Sequence, residues 1–362
     1  MRETLSWHSL GTAEAGSRTR LDGAKQFDAS HSENASQTED LSGLSVYRTR
    51  LSGGSPSVEE DGGDQRALVI MMDFLYNLRN YVEVTKPKTV LLLVFTSASA
   101  MAIAVLSTKL FFPLVFLAGL VAITASTAGC NTVTCYIDRD IDAVMQRTKR
   151  RPIPTGRITP AERALTWGLL LIAVGLAMGL WINAISFVIL LLGVLDNVVV
   201  YSLLLKRKNP LNIVLGGFSG GLPALFGWSS VTGTVNLLSV LLAGLVVLWI
   251  PSHIWSLALL SKEDYARAGV PMLPVVIEEK SALRCIVATV VLMIPFSLAV
   301  YWEGGFGWIY ASSALVLGAA VLMLNLRLFA RPTRKNAYVA FKVSSPYLFF
   351  LFLTMLLDRA FL

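Results

Sequence analysis

The chain has 362 residues, 54% of them apolar, and a formal net charge of +7 at pH 7, with a pI near 9.4 and a mean hydropathy of +0.61. Soluble domains run at about 45–50% apolar, so an ordinary soluble globule is excluded. Nucleic-acid binding is excluded with it, because the bases sit between long apolar runs and do not cluster on a soluble face.

Residues 1–66 hold eleven acids and seven Lys/Arg, about −4, which leaves roughly +11 for a far more apolar remainder. That asymmetry predicts a solvated tail joined to a basic-rimmed membrane body. The tail is rich in Ser, Gly, Asp and Glu and shows no periodicity, so residues 1–70 are expected to be disordered and 71–362 to form the membrane domain. No apolar stretch follows Met1 as a signal peptide requires, and the tail is too acidic for a transit peptide. Residues 73–86 are amphipathic, with Leu75, Leu78 and Val82 on one face, and are expected to rest on the membrane surface.

Beyond them, apolar segments long enough to cross about 30 Å recur between short polar breaks. Nine are expected, near 88–107, 111–135, 163–182, 185–205, 212–232, 236–260, 284–303, 307–326 and 339–361. The predicted fold is therefore all-α, a polytopic membrane helix bundle with about nine transmembrane helices. The breaks alternate: those at 107–110, 182–184, 232–235 and 303–306 are tiny and nearly uncharged, whereas those at 139–163, 206–208, 262–284 and 327–335 carry the bases. With nine crossings all four basic breaks share one side with the N-terminus. The positive-inside rule makes that side the cytoplasm of a multi-pass plasma-membrane protein.

The first basic break opens with Asn131, Thr134, Cys135, Asp138 and Asp142 at three- and four-residue spacing. If the second helix continues through it, they share a face and the two aspartates stand about 5–6 Å apart at Cβ. Paired carboxylates at a membrane end call for a cation, and magnesium suits them because it bridges a few carboxylates to substrate phosphates. Arg147, Lys149, Arg150 and Arg151 follow and suit diphosphate oxygens. The plainer alternative is a capped helix end with positive-inside charge. In the third basic break, Lys262, Asp264, Tyr265 and Arg267 precede a Gly/Pro turn at 269–274. They offer a second acidic patch for a metal-bridged diphosphate, or ordinary loop polarity. Within the spans, Asp196 lies roughly 15 Å deep by helical rise, and His253 stands beside Pro251 and between Trp249 and Trp255. Ionisable groups at such depth are functional candidates, though a lone His is as readily a hydrogen-bonded core residue. Cys130, Cys135 and Cys285 form no CxxC pair and no His/Cys cluster, and are expected to be small apolar helix residues.

Asp138-Arg139-Asp140-Ile141-Asp142 with Arg147-Thr148 and Arg151-Pro152 resembles the first aspartate motif of the intramembrane aromatic prenyltransferases of the UbiA-like superfamily. Three further blocks narrow the resemblance to the protohaem IX farnesyltransferases, or haem O synthases. These are Tyr201 to Arg207 with Pro210 and Asn212, Trp249 to Leu257 with His253, and Asp264-Tyr265 to Val276. The resemblance spans about 75–362 and leaves the tail unexplained. Many members carry an asparagine four residues before the first aspartate, where this chain has Thr134, so Asn131 is left to supply the amide.

The resemblance implies farnesyl diphosphate as donor, a vinyl group of haem B as acceptor, and addition of water to give haem O. It also implies a haem A synthase acting downstream, in haem A and terminal-oxidase biosynthesis. By the same token Asn131, Asp138, Asp142 and Asp264 are catalytic, and magnesium sits on Asp138, Asp142 and Asp264. Arg147, Arg151, Lys206 and Lys262 hold the diphosphate, while Arg207, Asn212, His253 and Tyr265 belong to substrate binding. A neutral His253 could ligate haem iron or simply pack. Three rival readings have distinct marks. The same fold acting on a quinone or phenol precursor would lack the 264–276 block and His253. A transporter would place its charges at mid-depth in broken helices, and a structural assembly factor would need no paired aspartates.

Overall fold

Apolar runs of this length leave the backbone in hydrocarbon no partner but itself. In the computed structural model every regular element among the described residues, 62–361, is accordingly a helix. Of the tail expected over 1–70, residues 1–61 lie outside the described part. The elements are α1 (Gly62–Val84), α2 (Pro87–Thr108), α3 (Pro113–Ile137), α4 (Arg139–Val144), α5 (Glu162–Ile182), α6 (Ala184–Leu205) and α7 (Asn212–Leu215). Then come α8 (Phe218–Thr232), α9 (Leu237–Leu260), α10 (Lys262–Arg267), α11 (Leu273–Val276), α12 (Glu279–Gly304), α13 (Trp308–Ala330) and α14 (Arg334–Phe361).

Local chemistry fixes the helix ends. Pro87 and Pro113 open α2 and α3 with φ already helical. At the uncharged turns, Asn183 accepts from Ser186 N at 2.7 Å to start α6, and Asn236 forms a capping box with Ser239 to start α9.

Among the described residues eight helices are long and apolar enough to cross a membrane, so the protein is a multi-pass helical membrane protein. The difference from the expected nine lies at 212–232. Gly216 and Gly217 break that stretch into α7 and the 15-residue α8, and 15 residues span only about 22 Å. The pass is still made. Asn212 reaches the Lys206 carbonyl at one end of α6, and Ser229 near the end of α8 accepts from Asn183 at the other. Glycine is required at Gly216 because an added Cβ would lie 2.6 Å from the Tyr201 side chain. The chain must come this close to hold the 201–212 turn shut.

Small residues set the tightest helix contacts, as expected where lipid supplies no hydrophobic drive between helices. Between α3 and α5, a Cβ on Gly175 would sit 2.1 Å from Ser126 Oγ and 2.8 Å from the Ala122 carbonyl. On the other side of the bundle, Trp228, Trp249, Tyr310, Tyr347 and Phe352 pack into one buried cluster joining α8, α9, α13 and α14. Leu114, Leu117, Leu292, Val316 and Met323 stand exposed on outward faces, where a bilayer would meet them. Leu75, Leu78 and Val82 of α1 are exposed too, while Asn80 and Val84 are buried beneath them. The helix thus presents its apolar stripe away from the bundle and is tied down by Glu83, which takes both Arg157 guanidinium nitrogens at 2.6 and 2.7 Å.

The second half of α6, Leu195–Leu205, winds as a π-helix. Its wide turns carry through to Lys206, whose N–H donates to Tyr201 O at 2.8 Å. Such windings concentrate at functional sites, and this one delivers Lys206 to the end of α3.

Candidate active site

The aspartate pair is built by a near-continuous helix. α3 stops at Asp138 and α4 restarts at Arg139, yet Asp138 N bonds Thr134 O at 3.0 Å and Asp142 N bonds Asp138 O at 2.8 Å. One turn therefore still separates the two carboxylates, as the spacing predicts. Asp138 is 2% exposed and Asp142 3%, and each lies against a cation. Lys206 pairs with Asp138, and Arg151 pairs with Asp142 at 2.6 Å. Asp140 points out of this pair and takes Arg207 in a two-pronged bridge at 2.7 Å. The Arg207 hydrogen bonds hold its carboxyl down at about 2.

A third cation completes the cluster. Lys86, at the head of α2 with φ 57°, sends its ammonium to Thr134 Oγ1 at 3.2 Å. Burial pushes it below its ordinary pKa, with Cys135 opposing and Arg151 and Lys206 assisting that shift. For Lys206 burial works the same way, but Tyr201 and Asp138 outweigh it and hold the ammonium above its usual value. Three cations thus face two buried carboxylates, an excess of positive charge that suits a polyanion. Asp138 Oδ1 is buried with no hydrogen-bond partner, a cost natural structures rarely bear unless something else binds there. A hard dication on that oxygen and the Asp142 carboxylate fits this donor set.

The second acidic patch is not drawn into one cluster with the first. No group of three His, Cys, Asp or Glu side chains close enough for an ion forms among the described residues. Asp264 instead accepts from Arg147 N at 3.3 Å and from Arg267 at 3.3 Å. It stands over an open cavity of about 720 Å³ at the ends of α9, α10, α12, α13 and α14, lined by Arg147, Lys262, Arg267, Arg334 and Glu279 among others. The Arg147–Asp264 contact joins the first and third basic breaks across this cavity, with Tyr265 buried behind and its hydroxyl 3.5 Å from Arg147. The other expected residues scatter around this frame. Asn212 is buried under Lys206 with its Oδ1 unpartnered. Asn131 does not join the aspartates: with Asn197 it lines a small apolar cavity of about 50 Å³ deeper in the bundle, its Nδ2 unpartnered. Arg207 is spent on Asp140 and the Ile137 carbonyl, exposed and outside the cluster.

Of the two intramembrane candidates, Asp196 accepts from Ser219 N at 2.7 Å and so caps the start of α8. The His253 ring is stacked on Trp249 at 4.5 Å and lies against Phe341 at 4.6 Å. Protein rings therefore pack against the imidazole on α9 and α14. Thr134 was placed on the aspartates' helix face from the sequence, but Lys86 was not singled out as its partner. The signal was present in a lysine placed immediately before the proline that opens the first span.

Residues 92–354 match the UbiA prenyltransferase family. The chain is 50% identical over 311 residues to the protoheme IX farnesyltransferase of Desulforudis audaxviator, covering 85% of this chain and 98% of that one. Among solved structures, a digeranylgeranylglyceryl phosphate synthase superposes with a TM-score of 0.67 at 21% identity, covering 79% of this chain and 99% of that one. A UbiA homologue from Archaeoglobus fulgidus bound to GPP and Mg2+ superposes with a TM-score of 0.55 at 16% identity, covering 76% and 99%.

Proposed function

The chain belongs to the UbiA prenyltransferase family, and we propose that it transfers the farnesyl group of farnesyl diphosphate to a vinyl group of haem B, with addition of water. The observation that carries this reading is the nest of half-buried Lys86, Arg151 and Lys206 around the buried Asp138 and Asp142. The bilayer-spanning body around it supplies apolar surroundings for an isoprenoid and a porphyrin. The choice of acceptor rests on the Desulforudis relative.

In this reading Lys206, Arg151 and Lys86 take the diphosphate oxygens, and Arg147 and Lys262 reach the same group from the cavity side. Asp138 and Asp142 would hold magnesium, with Asp264 as a separate carboxylate on the cavity for a further ion, and magnesium when bound neutralises diphosphate charge and eases its departure. The C1–O bond breaks with its electron pair leaving on the diphosphate, whose growing charge the three half-buried cations stabilise. The vinyl π-electrons attack the allylic C1 and form the C–C bond. Water adds to the resulting porphyrin-conjugated cation and releases a proton, leaving a hydroxyethylfarnesyl substituent. Attack itself needs no general base, since no proton leaves the vinyl group. Asn212 and Tyr265 back Lys206 and Arg147, while Asn131 faces the deeper apolar space. The four basic breaks put this end of the bundle toward the cytoplasm of the plasma membrane, and the product passes to a haem A synthase.

The test is a partition experiment. Purified protein receives labelled farnesyl diphosphate and magnesium with equal concentrations of haem B and a phenolic carboxylic acid. The reading predicts label in the porphyrin fraction, and label in the phenol instead would overturn the choice of acceptor.

A further inference from the structure

The loop that carries Arg151 is held by one side chain, and the same side chain holds the end of α1. A guanidinium has five N–H donors in a fixed plane, and Arg157 uses all five. Its terminal nitrogens donate to Glu83 at 2.6 and 2.7 Å, to Asn80 Oδ1 at 3.0 Å and to the Arg150 carbonyl at 2.7 Å. Nε donates to Thr155 Oγ1 at 3.1 Å. Thr155 in turn donates to the Arg151 carbonyl at 2.8 Å. The backbone is therefore pinned on both sides of the Arg151 Cα. Arg157 holds the carbonyl before it directly and the carbonyl after it through Thr155.

Both ends of this clamp lead into the cation nest. On the loop side, Arg151 reaches Asp142 at 2.6 Å. On the α1 side, the Glu83 carbonyl accepts from Lys86 N at 3.1 Å, and the Lys86 ammonium goes on to Thr134. Packing reinforces the link, because Val84, Cys135, Ile153 and Ile158 form one buried cluster of α1, α3 and the loop. With every N–H engaged, Arg157 can offer an incoming anion nothing without breaking a bond it already makes. An ion pair as exposed as Arg157–Glu83 adds little to stability by itself. What this network imposes is geometry: one side chain fixes the separation of two of the three cations that face Asp138 and Asp142.

We propose that Arg157 is a positioning residue, which sets the spacing of Lys86 and Arg151 for a diphosphate without touching it. The proposal rests on the diphosphate-binding role assigned to this nest above and adds the residue that holds its shape. Shifting a positioned group by about 1 Å can cost on the order of a hundredfold. Loosening the clamp therefore acts on diphosphate affinity through the displaced cations, and not through the charge of Arg157 itself.

The test measures binding of inorganic pyrophosphate, with magnesium, to the purified full-length protein. Arg157→Gln should weaken binding by about tenfold or more, and so should Arg151→Gln. Because one residue acts through the other, the two losses should not add: most of the Arg157→Gln effect should vanish in an Arg151→Gln background. Arg157→Lys keeps the charge but has three donors in place of five, and it should bind as weakly as Arg157→Gln. Glu83→Gln spoils the two-pronged bridge with Arg157 left in place. It should give a smaller loss of the same kind, and it serves for the same comparison where Arg157→Gln does not accumulate in the membrane. Full addition of the two losses would mean that Arg157 acts independently of Arg151, and wild-type affinity in Arg157→Lys would mean that its charge alone matters; either result overturns the proposal. So does unchanged binding in both Arg157→Gln and Glu83→Gln. A wild type that binds pyrophosphate, with these losses in the variants, yet farnesylates no porphyrin supports the proposal and defeats the acceptor reading alone. A wild type that binds no pyrophosphate defeats the nest as a diphosphate site and the proposal with it.

Discussion

Asp138 and Lys206 show how much of this site depends on single charges. Asp138 is buried and Lys206 half-buried against it, and each leaves the other stranded if removed, which is where large effects are expected. Asp138→Asn should cut farnesyl transfer on the order of a hundredfold or more without loss of membrane-inserted protein. Wild-type-like turnover across a magnesium titration would take Asp138 out of the site. Lys206→Met should raise the KM for farnesyl diphosphate, whereas Arg207→Gln should have little effect, since Arg207 is exposed and engaged with Asp140. Matched KM values for the two variants would contradict this division. The aspartates were legible in the sequence because three- and four-residue spacing puts them on one helix face whatever the tertiary structure does. Lys86 was not, because its partner Thr134 is 48 residues away and no local pattern links them. Arg157 was hidden for the same reason, being joined to Glu83 across 74 residues.

At the scale of elements, hydropathy gave the spans because lipid leaves an apolar run little choice but helix. Its error fell at 212–232, where composition alone cannot tell a continuous span from one broken by Gly216-Gly217 to let Tyr201 approach. The π winding of 195–205 was equally invisible, since its residues are as apolar as any helix. Two helix contacts invite measurement. Asp358, buried near the end of α14, accepts from Gly307 N, from Ile309 N at 3.1 Å and from Tyr310 N at 3.4 Å, capping the start of α13. Asp358→Ala should lower stability by about 2–3 kcal/mol, the cost of leaving buried donors unpaired. Thermal unfolding in detergent reads this, and an unchanged midpoint would mean that the cap contributes nothing. Gly175→Val should force α3 and α5 apart and cost roughly 3 kcal/mol, because the backbone oxygen of Ala122 cannot move aside by itself. Full retention of folded protein at the wild-type midpoint would show that the helices can separate freely there.

For the whole molecule, the charge asymmetry read from the sequence makes the acidic first third of the charged residues dispensable. Every residue placed in the site lies at or beyond Lys86. Ordering a polar tail costs roughly 1–2 kcal/mol per residue with little apolar burial in return, and its net negative charge would repel a diphosphate. Deleting residues 2–61 should therefore leave turnover and membrane abundance near wild type, and a large loss of turnover at normal abundance would show that the tail takes part. The central claim is reached most directly by the mass of the porphyrin recovered after incubating the purified full-length protein with haem B, farnesyl diphosphate and magnesium. The expected product is heavier than haem B by one farnesyl group and one hydroxyl, and it should be absent with Asp138→Asn. Haem B recovered unchanged while farnesyl diphosphate is consumed on another acceptor would contradict the account.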